Sequence, residues 1–238
     1  MIIDPAEVNK MTTKEKNVVP LFMSDKALTR AIKIKSFLFE RGIDLDHSPK
    51  ERRFEVLKRT IKKCRACSFR EECSAPVSPQ GPIDSRIVFQ GRNPGRVEDR
   101  EKIPFSPRAK GGSLLEKYFE TLGLRRDQVY ITNTVFCYTE NNRSPETEGI
   151  LKCLAWKNIE FEIVQPKFIF LLGNDAIRSY MGLDYPSVLR IIGDVYKTDL
   201  FGRETYLIPL YHPAHVVRNM NLLESLLNVL KHIREELF

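Results

Sequence analysis

No run of about 18 apolar residues occurs in this chain, so nothing in it reads as a membrane-spanning helix. Its first residues, MIIDPAEVNKMTTKEK, lack the apolar core of a secretory signal. It also lacks an even set of cysteines: the five are Cys64, Cys67, Cys73, Cys137 and Cys153. An odd count in a chain expected to be intracellular argues against a disulfide framework. It leaves metal ligation, catalysis or ordinary buried thiols. The expectation is a soluble intracellular protein, cytoplasmic or nucleoid-associated, with no membrane partner and monomeric.

What is present suits a globular enzyme or binding domain. The 238 residues are 42% hydrophobic and 10% aromatic, enough for one domain with an appendage or two small ones. The net charge of +7 is uneven. Residues 1–63 hold 15 Lys and Arg against 9 Asp and Glu, a surplus of six, which leaves about one for the rest. A basic segment beside a nearly neutral body suits contact with a polyanion, and it equally suits a solvated helical face.

Along the chain, residues 1–23 show no clear period and read as a loosely packed tail. Ser24 can cap a helix running to Gly42, and Ser48-Pro49 opens a second helix with Phe54, Leu57 and Ile61 at helical spacing. Residues 1–63 therefore read as a basic helical extension. From Arg86 the pattern changes. RIVFQ, QVYITN, KFIFLLG and ETYLIPLYHP read as strands. SLLEKYFETLG, PETEGILKCLAWKNIEFEIV, NDAIRSYMG and LLESLLNVLKHIREEL read as helices between or after them. The alternation predicts an α/β domain over residues 64–238, a small mainly parallel sheet flanked by helices. In such sheets ligands sit beyond the carboxyl ends of the strands.

Four features carry chemistry. Cys64-Arg65-Ala66-Cys67 is a C-x2-C pair, with Cys137 after a strand and Cys153 in the next helix. Four thiolates can hold a 4Fe–4S cluster or a structural zinc, and spacing does not choose between them or exclude unligated thiols. Second, Gly91-Arg92-Asn93-Pro94-Gly95 follows a strand, with Glu98 and Phe105 downstream. Glycine lets backbone approach a ligand, Asn93 and Glu98 can orient a water, and Phe105 offers a stacking face. Third, Asn133 ends a strand, where an amide both donates and accepts, as reading a base edge requires. Fourth, His212 ends the last strand, where an imidazole can stabilise developing negative charge. Each alone reads equally as an ordinary turn or strand end.

Taken in order, these segments resemble the uracil-DNA glycosylase superfamily over residues 64–238, most of all its iron–sulfur-containing family four. The resemblance rests on CRAC, GRNPGRVED with PF, VYITNTVFC, NNRSP, the helix with Cys153, LLG and HPAHVVRN. It implies a 4Fe–4S cluster on Cys64, Cys67, Cys137 and Cys153, and DNA as partner. It implies that Phe105 stacks on a flipped uracil, that Asn133 reads its edge, and that Asn142 stands near the pocket with Gly91 and Arg92. Glu98 matches an acidic residue of the first motif, and His212 the residue that stabilises the leaving base at O2. The stretch Val216-Val217-Arg218 resembles the loop that wedges into the duplex, and His215, Val217 and Arg218 are the residues expected to meet DNA.

Two departures stand out. The iron–sulfur family usually carries Glu, then Ala or Gly, where this chain has Arg92 and Asn93. The G-x-N-P-G form resembles instead the single-strand-selective and mismatch-specific glycosylases, whose Asn positions the attacking water. Cys73 has no place in the usual ligand set. The resemblance implies a monofunctional glycosylase of base-excision repair that hydrolyses the N-glycosidic bond of uracil, or a related base, and leaves an abasic site. The alternatives are a catalytically silent binder of DNA or protein on the same fold, with Arg92 marking the loss, or an unrelated zinc or iron–sulfur α/β protein.

Overall fold

Six strands form a single sheet in the computed structural model, which describes residues 13–14, 20, 23–182 and 185–237. The tail expected over residues 1–23 lies largely outside the described residues.

The central strands are β2 (Ile87–Gly91), β3 (Tyr130–Asn133), β4 (Phe168–Leu172) and β6 (Arg203–Leu210). They are mutually parallel in the spatial order β6-β4-β2-β3. Every residue of β2, β3 and β4 is buried. Apolar runs such as IVF and FIFLL suit this, because helices cover both faces of a parallel sheet. Phe89 stacks on Phe170 at 4.6 Å and meets Phe119 edge-on at 4.9 Å, so adjacent strands and a helix share one aromatic seam.

Beyond β6 lie β5 (Val195–Leu200), antiparallel to it, and the two-residue β1 (Thr13–Lys14). Strand β5 has no counterpart in the sequence reading. It is half-buried, with Lys197 and Asp199 turned outward, so it offers no continuous apolar run to detect.

Of the five longer helices, four come before β4 in the chain. They are α1 (Asp25–Phe39) and α2 (Lys50–Lys62), then α5 (Lys110–Leu122) and α6 (Thr147–Val164) further along the chain. Between α2 and α5 come two short helices, α3 (Phe69–Glu72) and α4 (Arg96–Glu101). Helix α6 is buried on nearly every side, because α1 and α2 pack against it. Ala31, Leu38, Phe54, Leu57 and Ile61 of the first 63 residues thereby join the same core as the sheet.

After β4 come α7 (Asn174–Met181) and α8 (Val188–Ile191); after β6 come α9 (Pro213–Arg218) and α10 (Leu223–Leu237). Helix α10 buries Leu226, Leu230, Ile233 and Leu237, an i, i+4, i+7 stripe that packs on α5. No described helix is long and apolar enough to cross a membrane.

This topology creates the site. The chain runs from β2 outward to β3, then returns to β4 on the other side of β2. Strand order reverses between β2 and β4, and loops diverging there leave a crevice at the carboxyl ends.

Candidate active site

The loops after β2, β3, β4 and β6 enclose a cavity of about 390 Å³, within the usual range for a ligand site. Arg92, Asn93, Glu98 and Phe105 line it from the segment after β2. Asn133 and Asn142 come from β3 and its loop; His212, His215 and Arg218 come from the β6 end and α9. Gly91 lies beneath the Phe105 ring and the Asn133 amide that line it. Val217 stands apart, half-buried against the core.

The end of β2 is built for close approach. A Cβ at Gly91 would lie 2.4 Å from Phe105 Cζ and 2.6 Å from Asn133 Oδ1, so only glycine lets ring and amide meet over β2. Register does the rest, since Gly91 pairs with Asn133 across the two strands. The strand ends are braced beneath: Thr134 Oγ1 donates to the Gly91 carbonyl at 3.0 Å and Gln90 Nε2 to Thr134 Oγ1 at 2.9 Å.

Phe105 is buried with φ +48°, a left-handed backbone uncommon for a bulky residue. Its surroundings hold it there. Arg126 Nη2 donates to the Pro104 carbonyl at 2.7 Å, and Ser106 Oγ donates to Glu101 at 2.5 Å. The Phe105 ring lies 5.5 Å from the His212 ring.

Asn133 is buried, and its Oδ1 has no hydrogen-bond partner in the protein. Such an acceptor carries a desolvation cost that a ligand donor can remove. His212 caps α9: its Nδ1 accepts from Ala214 N–H at 3.2 Å. An accepting Nδ1 places the proton of the neutral ring on Nε2, which becomes a donor. Gly173 has φ +85°, and a Cβ there would lie 3.0 Å from His212 Cβ, so glycine lets the chain entering α7 pass close to that side chain.

The electrostatics keep that ring neutral. Burial, with Arg92, Arg218 and His215 nearby, pushes the His212 pKa down to about 3. Burial raises the Glu98 pKa, partly offset by the backbone N–H groups of Glu98 and Gly95. Asn93 is held at both ends: its Oδ1 accepts from Arg92 Nε at 2.6 Å, and its Nδ2 donates to Thr139 Oγ1 at 3.1 Å.

One charged pocket residue escaped the sequence reading. Asp175, at the start of α7, lines the cavity, and Ser144 donates to it at 3.3 Å. The signal for Asp175 was available, because its loop follows a strand as the other site loops do.

A second, smaller cavity lies behind the sheet end, under α2 and α6. Cys64, Cys67, Cys137 and Cys153 all line it, with Phe136 and Trp156. Burial pushes the Cys153 thiol up to about 12, and the Cys67 and Cys64 thiols add to this. Burial also raises Cys67, and Cys64 adds to it. Cys137 is raised too, first by its hydrogen bond with Cys73, then by burial. These thiols oppose one another's ionisation, so a cationic centre among them would complete the set. Cys73 is not among the residues lining this cavity; its thiol is lowered to about 7 by its hydrogen bond with Cys137. Among the described residues, no three His, Cys, Asp or Glu side chains gather as ligands of one metal ion.

The family model of the Uracil DNA glycosylase superfamily matches residues 78–236. The chain belongs to that superfamily. Among its relatives is the type-4 uracil-DNA glycosylase of Sulfurisphaera tokodaii, 35% identical over 76% of this chain and 83% of that protein. The type-4 enzyme of Archaeoglobus fulgidus is 35% identical over 74% of this chain and 89% of its own length. That of Thermotoga maritima is 34% identical over 71% and 86%. The glycosylase superfamily acts on DNA, and in this member the match takes in every residue of the larger cavity discussed above.

Proposed function

We propose that this protein excises uracil from DNA by hydrolysing the N-glycosidic bond, leaving an abasic site without nicking the strand. One observation carries the reading: the unpartnered Asn133 Oδ1, buried beside the Phe105 ring. Uracil presents an N–H at N3 and a carbonyl at C4. Asn133 Oδ1 accepts from the first and its Nδ2 donates to the second, while Phe105 stacks on the ring. Cytosine offers the reverse pattern and would leave both amide groups mispaired.

The base leaves the duplex stack to reach this slot, at a cost of a few kcal/mol that stacking and the amide bonds offset. As the C1′–N1 bond breaks, its electron pair stays with the base. His212 Nε2–H donates to the developing charge at O2, and the neutral ring has no acidic proton to lose. A water held by Asn93 and Glu98 adds to the sugar at C1′ and gives one proton to the Glu98 carboxylate, which leaves the abasic sugar with a hydroxyl. His215, Val217 and Arg218 on α9 face the DNA. The protein acts as a monomer.

The four-cysteine cavity suits a 4Fe–4S cluster held by Cys64, Cys67, Cys137 and Cys153. When bound, the cluster supplies a structural tie. The cysteines come from the loop after α2, the loop after β3 and α6, so their ligation holds the β3 loop to the helical layer.

The test uses anaerobically purified protein and labelled oligonucleotides bearing U·G, U·A, single-stranded U, hydroxymethyluracil or hypoxanthine, followed by alkali. Cleavage at uracil, lost in Asn133→Ala, is the expected result. Cleavage of none, by protein that still binds DNA, would replace this reading with that of a silent binder.

A further inference from the structure

The residue after Gly91 is where this chain departs from the iron–sulfur family it resembles, and the structure gives it a place. Arg92 uses its whole guanidinium. Nε donates to Asn93 Oδ1 at 2.6 Å, and Nη1 donates to Ser144 Oγ at 3.1 Å. Nη2 donates to the Asn142 carbonyl at 2.6 Å and to Asn142 Oδ1 at 2.9 Å. Asp175 faces it at 3.8 Å. One side chain thus joins the loops after β2, β3 and β4, across the point where strand order reverses.

What it holds needs holding. Asn141 and Asn142 are both left-handed at φ +53°, two consecutive uncommon backbones in an exposed loop. Asn93 has one amide orientation consistent with its partners, since Arg92 can only donate and the Pro94 carbonyl, 3.2 Å from Nδ2, can only accept. An amide oxygen has two acceptor positions, so Oδ1 retains one for a water.

We propose that Arg92 is a positioning residue, which orients the Asn93 amide toward the attacking water and pins the Asn141–Asn142 loop at the pocket mouth, with Asp175 as its counter-charge. The proposal rests on the glycosylase reading. It explains how an arginine stands beside a water-positioning asparagine without ending catalysis. A lysine cannot substitute, because a single ammonium lacks the planar fork that reaches three loops.

The test is a double-mutant cycle on the cluster-loaded protein. Single-turnover excision from a U·G duplex is measured for Arg92→Met, Asn93→Ala, the double variant and Arg92→Lys. Affinity is measured on a duplex carrying a tetrahydrofuran abasic-site analogue. Arg92→Met is expected to slow excision by up to about a hundredfold, as misplacement of a reacting group does. Affinity should change by less than about threefold, within ordinary context dependence. The double variant should be no slower than Asn93→Ala alone, and Arg92→Lys should resemble Arg92→Met. Amide hydrogen exchange over residues 141–144 should rise in Arg92→Met by clearly more than in Asn93→Ala, which loses the bond to Thr139 but keeps the Arg92 contacts to Asn142 and Ser144. Additive rate losses in the cycle, or unchanged exchange in Arg92→Met, overturn the proposal. A wild-type protein that cleaves no uracil defeats the glycosylase reading and with it the water-positioning role, whereas the exchange result decides the pinning of the loop on its own.

Discussion

At the residue scale, the site pairs groups whose ordinary properties the fold has shifted. His212, held neutral by burial and by the nearby Arg92 and Arg218, can donate from Nε2 across the working range. Replacing it with alanine removes a preorganised donor, expected to slow single-turnover excision by about 10²- to 10³-fold. Binding of uracil-containing duplex should stay near wild type, and Asn93→Ala should show the same split between rate and affinity. The pH profile separates the titrating groups. With His212 lowered to about 3, it contributes no limb between about pH 5 and 8. Glu98 is raised, so an active carboxylate there is lost as pH falls through a value above 4.5. The rate should therefore rise with pH along one acid limb, and Glu98→Gln should flatten it. These residue types and their loop positions were legible in the sequence. Their protonation states were not, because burial and neighbouring charge belong to no single segment.

At the scale of elements, helix α6 carries the unusual load. Its sequence LAWKNIEFEIV has polar residues at positions that would face solvent on a lone helix. Yet Lys157 and Glu160 are 1% and 0% exposed, paired at 2.7 Å. Lys157 also donates to Thr132 Oγ1 on β3, next to Asn133. Removing one partner leaves the other buried and uncompensated, so Lys157→Met should cost about 3–5 kcal/mol. Adding Glu160→Gln should recover much of that. Thermal unfolding of the three variants checks both statements. The helix itself could be read from its apolar content, but the burial of its polar face could not. That burial arises only when other elements pack on the helix: Lys157 reaches Thr132 of β3, and Glu160 lies by Tyr130 of β3 and Tyr180 of α7. Strand β5 escaped for a related reason, since a strand with outward Lys197 and Asp199 carries no continuous apolar signal.

At the scale of the whole molecule, the active-site cavity and the cysteine cavity share one scaffold. The larger opens at the carboxyl ends of the parallel strands, and the smaller lies between the β3 loop and the helical layer. The four cysteines join segments up to 89 residues apart in number, from Cys64 to Cys153. A bound cluster therefore closes long loops, and its loss should destabilise the whole domain. Cys137→Ser is expected to lose visible colour and to unfold at lower temperature. Retained colour and stability would instead make Cys73, which bonds to Cys137, a ligand.

The order of apolar runs, turn residues and polar strand ends determined the alternating α/β class and brought Asn93, Phe105, Asn133 and His212 to notice. Those are local properties, since a strand-end loop is visible wherever a buried run stops. Only the tertiary structure decided what Arg92 holds, that Asp175 answers it, and that Asn133 Oδ1 is left for a ligand. Each of these depends on residues brought together across separate strands, and on water being excluded where they meet.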